Sequence, residues 1–236
     1  MLTATIYENL SLLKDLDQKQ LVVLIDPDKF DIFNSEQFFN ELPEEITHIF
    51  VGGSIVEANR TEQTVSYIKR FSELPVIIFP GDHTQITENA DGILFLSLLS
   101  GRNPEYLIEQ QVKSISKLKG SNLEIIPTGY ILIDGGKEST VQRISKTQPM
   151  SQSNVEAIVN TALAGEYSGK KLIYLEAGSG AINHVSLEII REVKKAISIP
   201  LIVGGGIKNS NQLSTIYKAG ADIVVIGTAF EKGDFI

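Results

Sequence analysis

Short apolar runs alternate along the chain with longer segments in which apolar residues recur every three or four positions. The runs are rich in Val, Ile and Leu, and each ends in small or polar residues. They cover residues 21–26, 48–52, 76–79, 92–98, 123–127, 171–175, 201–204 and 223–227. Continuous apolar runs without polar alternation are typical of strands buried on both faces, as in a parallel sheet. The pattern therefore predicts eight parallel strands.

Helical patterns separate most of these strands. Asn103 and Pro104, for example, are typical of a helix N-terminus. The apolar residues that follow them at helical spacing are Ile108, Val112, Ile115 and Leu118. Strand–helix alternation in units of about 30 residues predicts a closed (β/α)8 TIM barrel, with an open doubly wound sheet as the alternative.

Two of the eight units are irregular. Residues 80–91 are too few for a full outer helix, so we expect the third outer helix to be missing. The last outer helix is expected to be missing or short, because the sequence given stops at Ile236. Residues 5–16 predict a helix across the barrel floor. Residues 135–152 form the longest stretch without a pattern, which indicates a functional or mobile loop or else a solvated surface excursion.

Composition narrows the functional classes. The 29 acidic and 21 basic side chains give a net charge of −8, which argues against a nucleic-acid binder. The absence of cysteine excludes a disulfide scaffold, a thiolate zinc site and a cysteine nucleophile. No apolar run approaches the ~20 residues of a membrane span, and the N-terminus lacks a signal-peptide pattern. We expect one cytoplasmic barrel domain over residues 1–236, acting as an enzyme or a binding domain.

Glycine-rich loops follow the last two predicted strands. Gly204, Gly205 and Gly206 come after strand seven, and Gly227 and Thr228 come after strand eight. Glycines let backbone amides approach an anion closely, and TIM barrels often bind phosphate at these two loops. The order of the loops predicts a phosphate site.

Strand six ends in Tyr174 and Glu176, followed by Gly178, Ser179 and Gly180. Alternation along a strand places Tyr174 and Glu176 on the same face, toward the barrel mouth. A carboxylate there can accept a proton or bind a substrate hydroxyl. The alternative is a carboxylate paired with a lysine inside the barrel.

Strand one ends in Asp26, Pro27, Asp28 and Lys29, and strand two is followed by Ser54. Carboxylates with a nearby hydroxyl suit Mg2+, although Asp-Pro-Asp is also a common turn sequence.

The histidines, His48, His83 and His184, have no zinc-ligand spacing. We expect His48 to be structural, whereas His83 and His184 follow strand ends and are candidates for substrate contact. No GxGxxG motif follows a strand, which argues against a nucleotide cofactor.

Together these motifs resemble the geranylgeranylglyceryl phosphate synthase family over nearly the whole chain. The segments that carry the resemblance are residues 26–29, 51–54, 79–81, 174–180, 204–206 and 226–228, of which YLEAGSG at 174–180 is the most specific. Members of that family are modified barrels without the third outer helix. They join sn-glycerol 1-phosphate to a polyprenyl diphosphate by an ether bond, with Mg2+ and without a redox cofactor.

The resemblance implies Asp26 and Ser54 as Mg2+ ligands. It implies a glycerol 1-phosphate site formed by Tyr174, Leu175, Glu176, Ala177, Gly178, Ser179, Gly180, Gly204, Gly205, Gly227 and Thr228. One branch of the family has a lysine where this chain has Leu24, so we expect a member of the other branch.

The chemistry of the reaction adds further expectations. Glu176 is the expected base for the glycerol hydroxyl, with Tyr174 as the second catalytic candidate and Lys29 as a candidate for an additional positive charge. The donor is expected to be geranylgeranyl diphosphate. Its tail would lie against a groove wall for which the candidates are Phe79, Phe95, Leu96 and Leu98.

Two other functions remain open. A sugar-phosphate isomerase or cyclase would share the glycine loops but would use carboxylates after strands one and five, and strand five is followed by none before Asp134. A non-catalytic phosphometabolite-binding protein is the second alternative.

Missing outer helices expose apolar surface, so we expect a homo-oligomer, either a dimer or a hexamer built from dimers, with at most peripheral membrane contact.

Overall fold

Eight parallel strands close into a ring in the computed structural model, which describes residues 4–32, 35–40 and 42–227. Each strand pairs with its sequence neighbours, and the eighth pairs with the first. The strands are β1 (Gln20–Ile25), β2 (Ile46–Val51), β3 (Val76–Ile78), β4 (Gly92–Leu98), β5 (Glu124–Leu132), β6 (Leu172–Glu176), β7 (Leu201–Gly204) and β8 (Ile223–Ile226). The predicted closed barrel is confirmed, and the open sheet is not formed.

Helices surround the ring. They are α1 (Ile6–Asp15), α2 (Ser35–Asn40), α3 (Arg60–Phe71), α4 (Gln110–Leu118), α5 (Thr140–Ser145), α6 (Val155–Tyr167), α7 (Leu187–Ala196) and α8 (Ser210–Ala219). The outer helices bury one apolar side against the strands, as α7 does with Ile189, Ile190 and Val193. None of the helices in the described ranges is both long and apolar enough to cross a membrane.

The N-terminal helix α1 closes the floor of the barrel, as predicted. Thr5 caps it in a capping box with Glu8. The carboxylate of Glu124, at the start of β5, accepts hydrogen bonds from the backbone N–H groups of Ile6 (2.5 Å) and Tyr7 (2.9 Å). Leu10 is buried against the apolar residues inside the barrel.

The connection between β3 and β4 contains a single 3-10 turn, His83–Gln85, instead of a helix. The predicted loss of the third outer helix is therefore confirmed. The prediction of a missing or short last helix falls on residues 228–236, which lie outside the described residues.

Strand β5 is longer than the apolar run 123–127 predicted. Pro127 and Gly129 resemble a strand terminator, but Pro127 lacks only a donor, and its carbonyl accepts a hydrogen bond from Lys171 N (2.7 Å). Gly129 makes room for a neighbouring side chain, since a Cβ there would lie 2.6 Å from Leu99 Cδ1. The strand therefore continues to Leu132, paired with β4 and β6.

The expectation that residues 135–152 form a loop without regular structure is also wrong. It contains α5, whose N-cap Ser139 accepts a hydrogen bond from Gln142 N (3.1 Å), and a bridge between Ile133 and Met150. A helix of six residues is too short to show apolar periodicity in the sequence.

The helix predicted after Pro104 exists, but most of its apolar stripe faces away from the barrel. Ile108, Val112 and Ile115 are 50%, 59% and 49% exposed. The buried positions of α4 are Gln111, Ser114 and Leu118. A π-helical turn, Glu105–Glu109, precedes α4, and Gln111 Nε2 donates to the carbonyl of Leu96 (2.7 Å), so a largely polar face packs on the barrel.

Candidate active site

A cavity of about 640 Å³ opens at the C-terminal ends of the strands. The predicted site residues that line it are Asp26, Ser54, Tyr174, Glu176, Gly178, Ser179, Gly180, Gly205 and Gly227. Leu175 and Ala177 are buried among the apolar residues between the strands and the outer helices. Gly204 lies against Tyr174 and Glu176 and does not line the cavity. Any part these three take in binding must therefore use their backbone groups. Thr228 lies outside the described residues.

The carboxyl group of Glu176 is buried at the end of β6, with 7% of the residue exposed. Burial raises its pKa to about 7, although the hydrogen bond from the Gly178 N–H and the nearby Tyr174 phenol oppose the shift. The Gly178 N–H lies 2.7 Å from Oε1. None of the ion pairs in the described part of the chain includes Glu176, so the alternative of a lysine partner is not found. A carboxyl group in this state can take up a proton near neutral pH.

Tyr174 lies inside the barrel, beneath Glu176. Its ring stacks on Phe79 at 5.3 Å and contacts the ring of Tyr130 at 5.4 Å. Burial and the nearby Glu176 raise the pKa of Tyr174 well above its ordinary value, so the phenol stays protonated. Its hydroxyl has no hydrogen-bond partner of normal geometry among the described residues, although the Glu176 carboxyl lies close to it. The phenol is therefore a buried donor that a ligand can use.

The loop after β7 packs directly on the Glu176 carboxyl. Gly205 has a φ of +83°, and a Cβ there would lie 2.3 Å from Glu176 Oε1. At Gly204 a Cβ would lie 2.5 Å from the Tyr174 hydroxyl and 2.7 Å from Glu176 Oε2. Only glycine fits such a close backbone approach. The phosphate loops predicted from the sequence thus meet the predicted base in one cavity.

Asp26 and Ser54 line the opposite part of the cavity, after β1 and β2. The ammonium group of Lys29 lies 2.6 Å from Asp26 Oδ2. Asp28 does not join them, because its carboxylate accepts a hydrogen bond from Glu57 N (3.1 Å). The predicted pair of carboxylates is therefore reduced to Asp26.

The described donor groups around Asp26 are too few to enclose a metal ion by themselves. The described residues contain no cluster of three or more His, Cys, Asp or Glu side chains that could enclose a metal. Mg2+ is commonly bound by one or two carboxylates, with waters and substrate phosphate oxygens completing the octahedron. One carboxylate and one hydroxyl fit an ion whose remaining ligands are waters and the phosphate oxygens of a substrate.

The histidines are placed differently from one another. His48 is buried in β2, outside the cavity, and burial lowers its pKa to about 4, which agrees with a structural role. His83 lines the cavity, and its Nδ1 lies 2.9 Å from Gln110 Oε1. His184 does not line it, and its Nδ1 lies 2.7 Å from the carbonyl of Val185.

The sequence reasoning missed two lysines beside the glycine loops. Lys208 lines the cavity. Lys137 Nζ would lie 3.2 Å from a Cβ at Gly180. A lysine soon after the glycine triplet was a weak signal for Lys208, whereas nothing in the sequence places Lys137 next to β6. The four predicted groove residues, Phe79, Phe95, Leu96 and Leu98, all line the cavity.

Comparison with known proteins places this chain in a family. The model of the PcrB family matches residues 14–235. The chain belongs to the PcrB family. It is 60% identical to the geranylgeranylglyceryl phosphate synthase of Zunongwangia profunda, covering 93% of this chain and 94% of the relative, and 52% identical to that of Flavobacterium johnsoniae, covering 97% and 94%. The family resemblance predicted from the motifs is confirmed.

Solved structures agree with membership of the PcrB family. The (S)-3-O-geranylgeranylglyceryl phosphate synthase of Thermoplasma acidophilum, in complex with its substrate sn-glycerol-1-phosphate, is 34% identical, with a TM-score of 0.91 and coverage of 98% of this chain and 93% of that one. The corresponding enzyme of Thermoplasma volcanium is 37% identical, with a TM-score of 0.89 and coverage of 96% and 90%. A tryptophan synthase alpha-subunit from Pyrococcus furiosus, 14% identical with a TM-score of 0.56 and coverage of 90% and 88%, shares the fold alone.

The raised pKa of Glu176 predicts a pH-dependent difference in stability. The buried carboxyl favours its protonated form, so its contribution to the free energy of unfolding is complete below about pH 4.5 and is lost as the pH rises through 7. Between pH 5 and 8 we expect the wild type to lose up to about 3 kcal/mol relative to the Glu176→Gln variant. Denaturant unfolding of both proteins at each pH measures this difference. The exposed-pair variant Glu192→Gln is the control, and parallel pH curves for wild type and Glu176→Gln would contradict the assignment.

Proposed function

We propose that this protein is a prenyltransferase that joins sn-glycerol 1-phosphate to a polyprenyl diphosphate, with geranylgeranyl diphosphate as the expected donor. The observation that carries the proposal is the arrangement of one cavity. The glycine loops and the buried Glu176 carboxyl line one part of the cavity, and Asp26 lines another. An apolar wall lies at the ends of β3, β4 and β5. A polar phosphate acceptor and a long apolar donor both require such a cavity.

The acceptor binds at the loops after β6, β7 and β8 in this proposal. Backbone amides of Gly205 and Gly227 hold its phosphate, and Lys208 adds a positive charge beside them. This anchors the primary hydroxyl next to Glu176 and Tyr174. Because the hydroxyl is already held in position, less translational and rotational entropy is lost on reaching the transition state, which lowers the activation free energy.

The reaction forms a bond from the glycerol oxygen to C1 of the prenyl chain and breaks the bond from C1 to the diphosphate. Glu176 accepts the proton that the hydroxyl loses, and the protonated Tyr174 phenol holds the attacking oxygen by a hydrogen bond. Diphosphate leaves with the electron pair of the broken bond. A base with a pKa of about 7 is matched to this task near neutral pH.

Asp26 and Ser54 are the proposed ligands of Mg2+, which when bound neutralises the charge that develops on the leaving diphosphate. Lys29, already 2.6 Å from Asp26, contributes a second positive charge at the same place. Phe79, Phe95, Leu96 and Leu98 hold the isoprenoid tail and exclude water from the allylic carbon.

The sugar-phosphate isomerase or cyclase alternative needs a carboxylate after β5. Asp134 is the first one after that strand, and it does not line the cavity. Its Oδ1 accepts a hydrogen bond from Gly136 N (2.9 Å), so it closes a local turn. The position of Asp134 argues against that reaction.

Product formation tests the proposed function. The protein is incubated with Mg2+, glycerol 1-phosphate and prenyl diphosphates of several lengths, and we expect an organic-soluble prenylated glycerol phosphate. Loss of the base in Glu176→Gln is expected to lower turnover by about 10²–10⁴-fold. No lipid product with any donor would refute the proposal, and near-normal turnover of Glu176→Gln would refute the role of Glu176 alone.

Chelation tests the metal proposal. We expect EDTA to abolish turnover and Mg2+ to restore it, because Asp26 and Ser54 need the ion to hold the leaving diphosphate. Asp26→Asn should require a higher Mg2+ concentration for half-maximal rate, whereas Asp15→Asn on the exposed end of α1 should behave like the wild type. Wild-type-like activity of Asp26→Asn in EDTA would show that no metal acts there.

We infer that a second copy of the chain covers the outer face of α4. Ile108, Val112 and Ile115 form an exposed apolar stripe there. The charges beside the stripe neutralise each other, since Lys113 Nζ lies 2.5 Å from Glu105 Oε1. A two-fold symmetric interface places one patch against itself, which an apolar stripe with balanced charges tolerates.

Light scattering after gel filtration tests the interface. We expect the wild type to be a dimer or a larger assembly of dimers, and Val112→Glu to lower the mass because it buries a charge in the interface. Leu12→Glu, an exposed apolar position on α1, is the matched control and should keep the wild-type mass. A monomeric wild type, or an unchanged mass for Val112→Glu, would contradict the inference.

A further inference from the structure

We propose that Gln85 is a positioning residue that holds the Ser54 loop against Asp26 and thereby sets the affinity for the divalent cation. The inference rests on the proposed metal site and adds a residue that touches neither the ion nor the substrate. Gln85 belongs to the 3-10 turn that stands in place of the third outer helix.

The side chain of Gln85 joins the loops that follow β2 and β3. It is 3% exposed. Its Oε1 accepts hydrogen bonds from the N–H groups of Gly81 (3.1 Å) and Gly53 (3.5 Å), and its Nε2 donates to the carbonyl of Gly53 (2.8 Å). Both ends of the amide are therefore used, and removing them leaves partly buried backbone groups of Gly53 and Gly81 without these partners.

These loops are stacked without space between them. A Cβ at Gly81 would lie 2.3 Å from the carbonyl oxygen of Gly53 and 2.8 Å from that of Ser54. A Cβ at Gly53 would lie 3.2 Å from Asp26 Oδ1. A displacement at Gly81 is thus transmitted through Gly53 and Ser54 to the Asp26 carboxylate.

A second contact fixes the far end of the same loop. Asp28 accepts hydrogen bonds from Glu57 N at 3.1 and 3.3 Å. Ser54 therefore lies between two clamps, Gln85 acting on Gly53 and Asp28 acting on Glu57. The connection after β3 is the single turn that carries Gln85.

The test compares two glutamines that each bridge loops. Gln85→Met keeps the side-chain length and removes all three hydrogen bonds. Gln152→Met is the matched control, because Gln152 bonds the carbonyls of Asp134 and His184 and the N–H of Ser186, on the side of the barrel away from Asp26. Mn2+ serves as the probe, with the protein-bound ion measured by electron paramagnetic resonance in the presence of the prenyl diphosphate and the absence of glycerol 1-phosphate.

For Gln85→Met we expect Mn2+ binding weakened by about tenfold, which corresponds to ~1.4 kcal/mol for the lost contacts. Amide hydrogen exchange should become faster over residues 53–57. The Mg2+ concentration for half-maximal rate should rise, with kcat recovered at saturating Mg2+ and the KM for glycerol 1-phosphate unchanged. Gln152→Met should leave Mn2+ affinity and exchange at residues 53–57 as in the wild type.

The outcomes separate the two proposals. A wild type that binds no Mn2+ and turns over in EDTA overturns the metal site and this inference with it. A wild type that binds Mn2+, beside a folded Gln85→Met of equal affinity, overturns the role of Gln85 alone. Equal weakening in Gln85→Met and Gln152→Met shows general destabilisation and also overturns it.

Discussion

A carboxyl group buried without a cation is the constraint around which the barrel mouth is built. Glu176 is surrounded by barrel side chains and backbone, and its charged form has the Gly178 amide and the neutral Tyr174 phenol for support. The loop after β7 must pass so close that Gly205 has no room for a side chain. The close packing that buries the carboxyl thus also brings backbone amides without side-chain cover into the cavity, where they can bind an anion. The proposed base and the proposed phosphate site are therefore consequences of one packing arrangement.

Strand register brings these groups together. Glu176 pairs with Leu132 of β5 on one side and with Gly204 of β7 on the other, so the carboxyl and the glycine loop end at the same level. On the opposite side, β3 has three residues and is followed by a single turn. That shortened unit leaves the apolar part of the cavity without an outer helix, and the turn keeps the neighbouring loops in place through Gln85. The proposed groove for a long apolar chain and the proposed clamp by Gln85 therefore both lie at the unit that lacks its outer helix.

The sequence predicted what depends on local pattern and on the symmetry of the fold. Apolar runs located all eight strands, and the rule that strand ends meet at one mouth brought Asp26, Ser54 and Glu176 into one cavity. Predictions from the sequence were wrong where tertiary packing overrides local signals. Pro127 predicted the end of a strand that in fact continues, because the proline carbonyl still accepts a hydrogen bond. Asp28 was paired with Asp26 by spacing, yet it turns to Glu57, which no one-dimensional pattern reveals.

Net charge predicts less about a small phosphorylated ligand than about a polyanion. A nucleic acid samples charge over a wide surface, where the −8 of this chain is repulsive. A single phosphate interacts mainly with the groups that line its cavity. The dipoles of backbone amides act on it there, and they do not contribute to the net charge of the chain. Positive side chains are also within reach, because Lys29 and Lys208 line the cavity and Lys137 lies beside Gly180. Two phosphorylated groups can therefore be held at the mouth of an acidic barrel, one by amides near Lys208 and Lys137 and the other at Asp26 and Lys29.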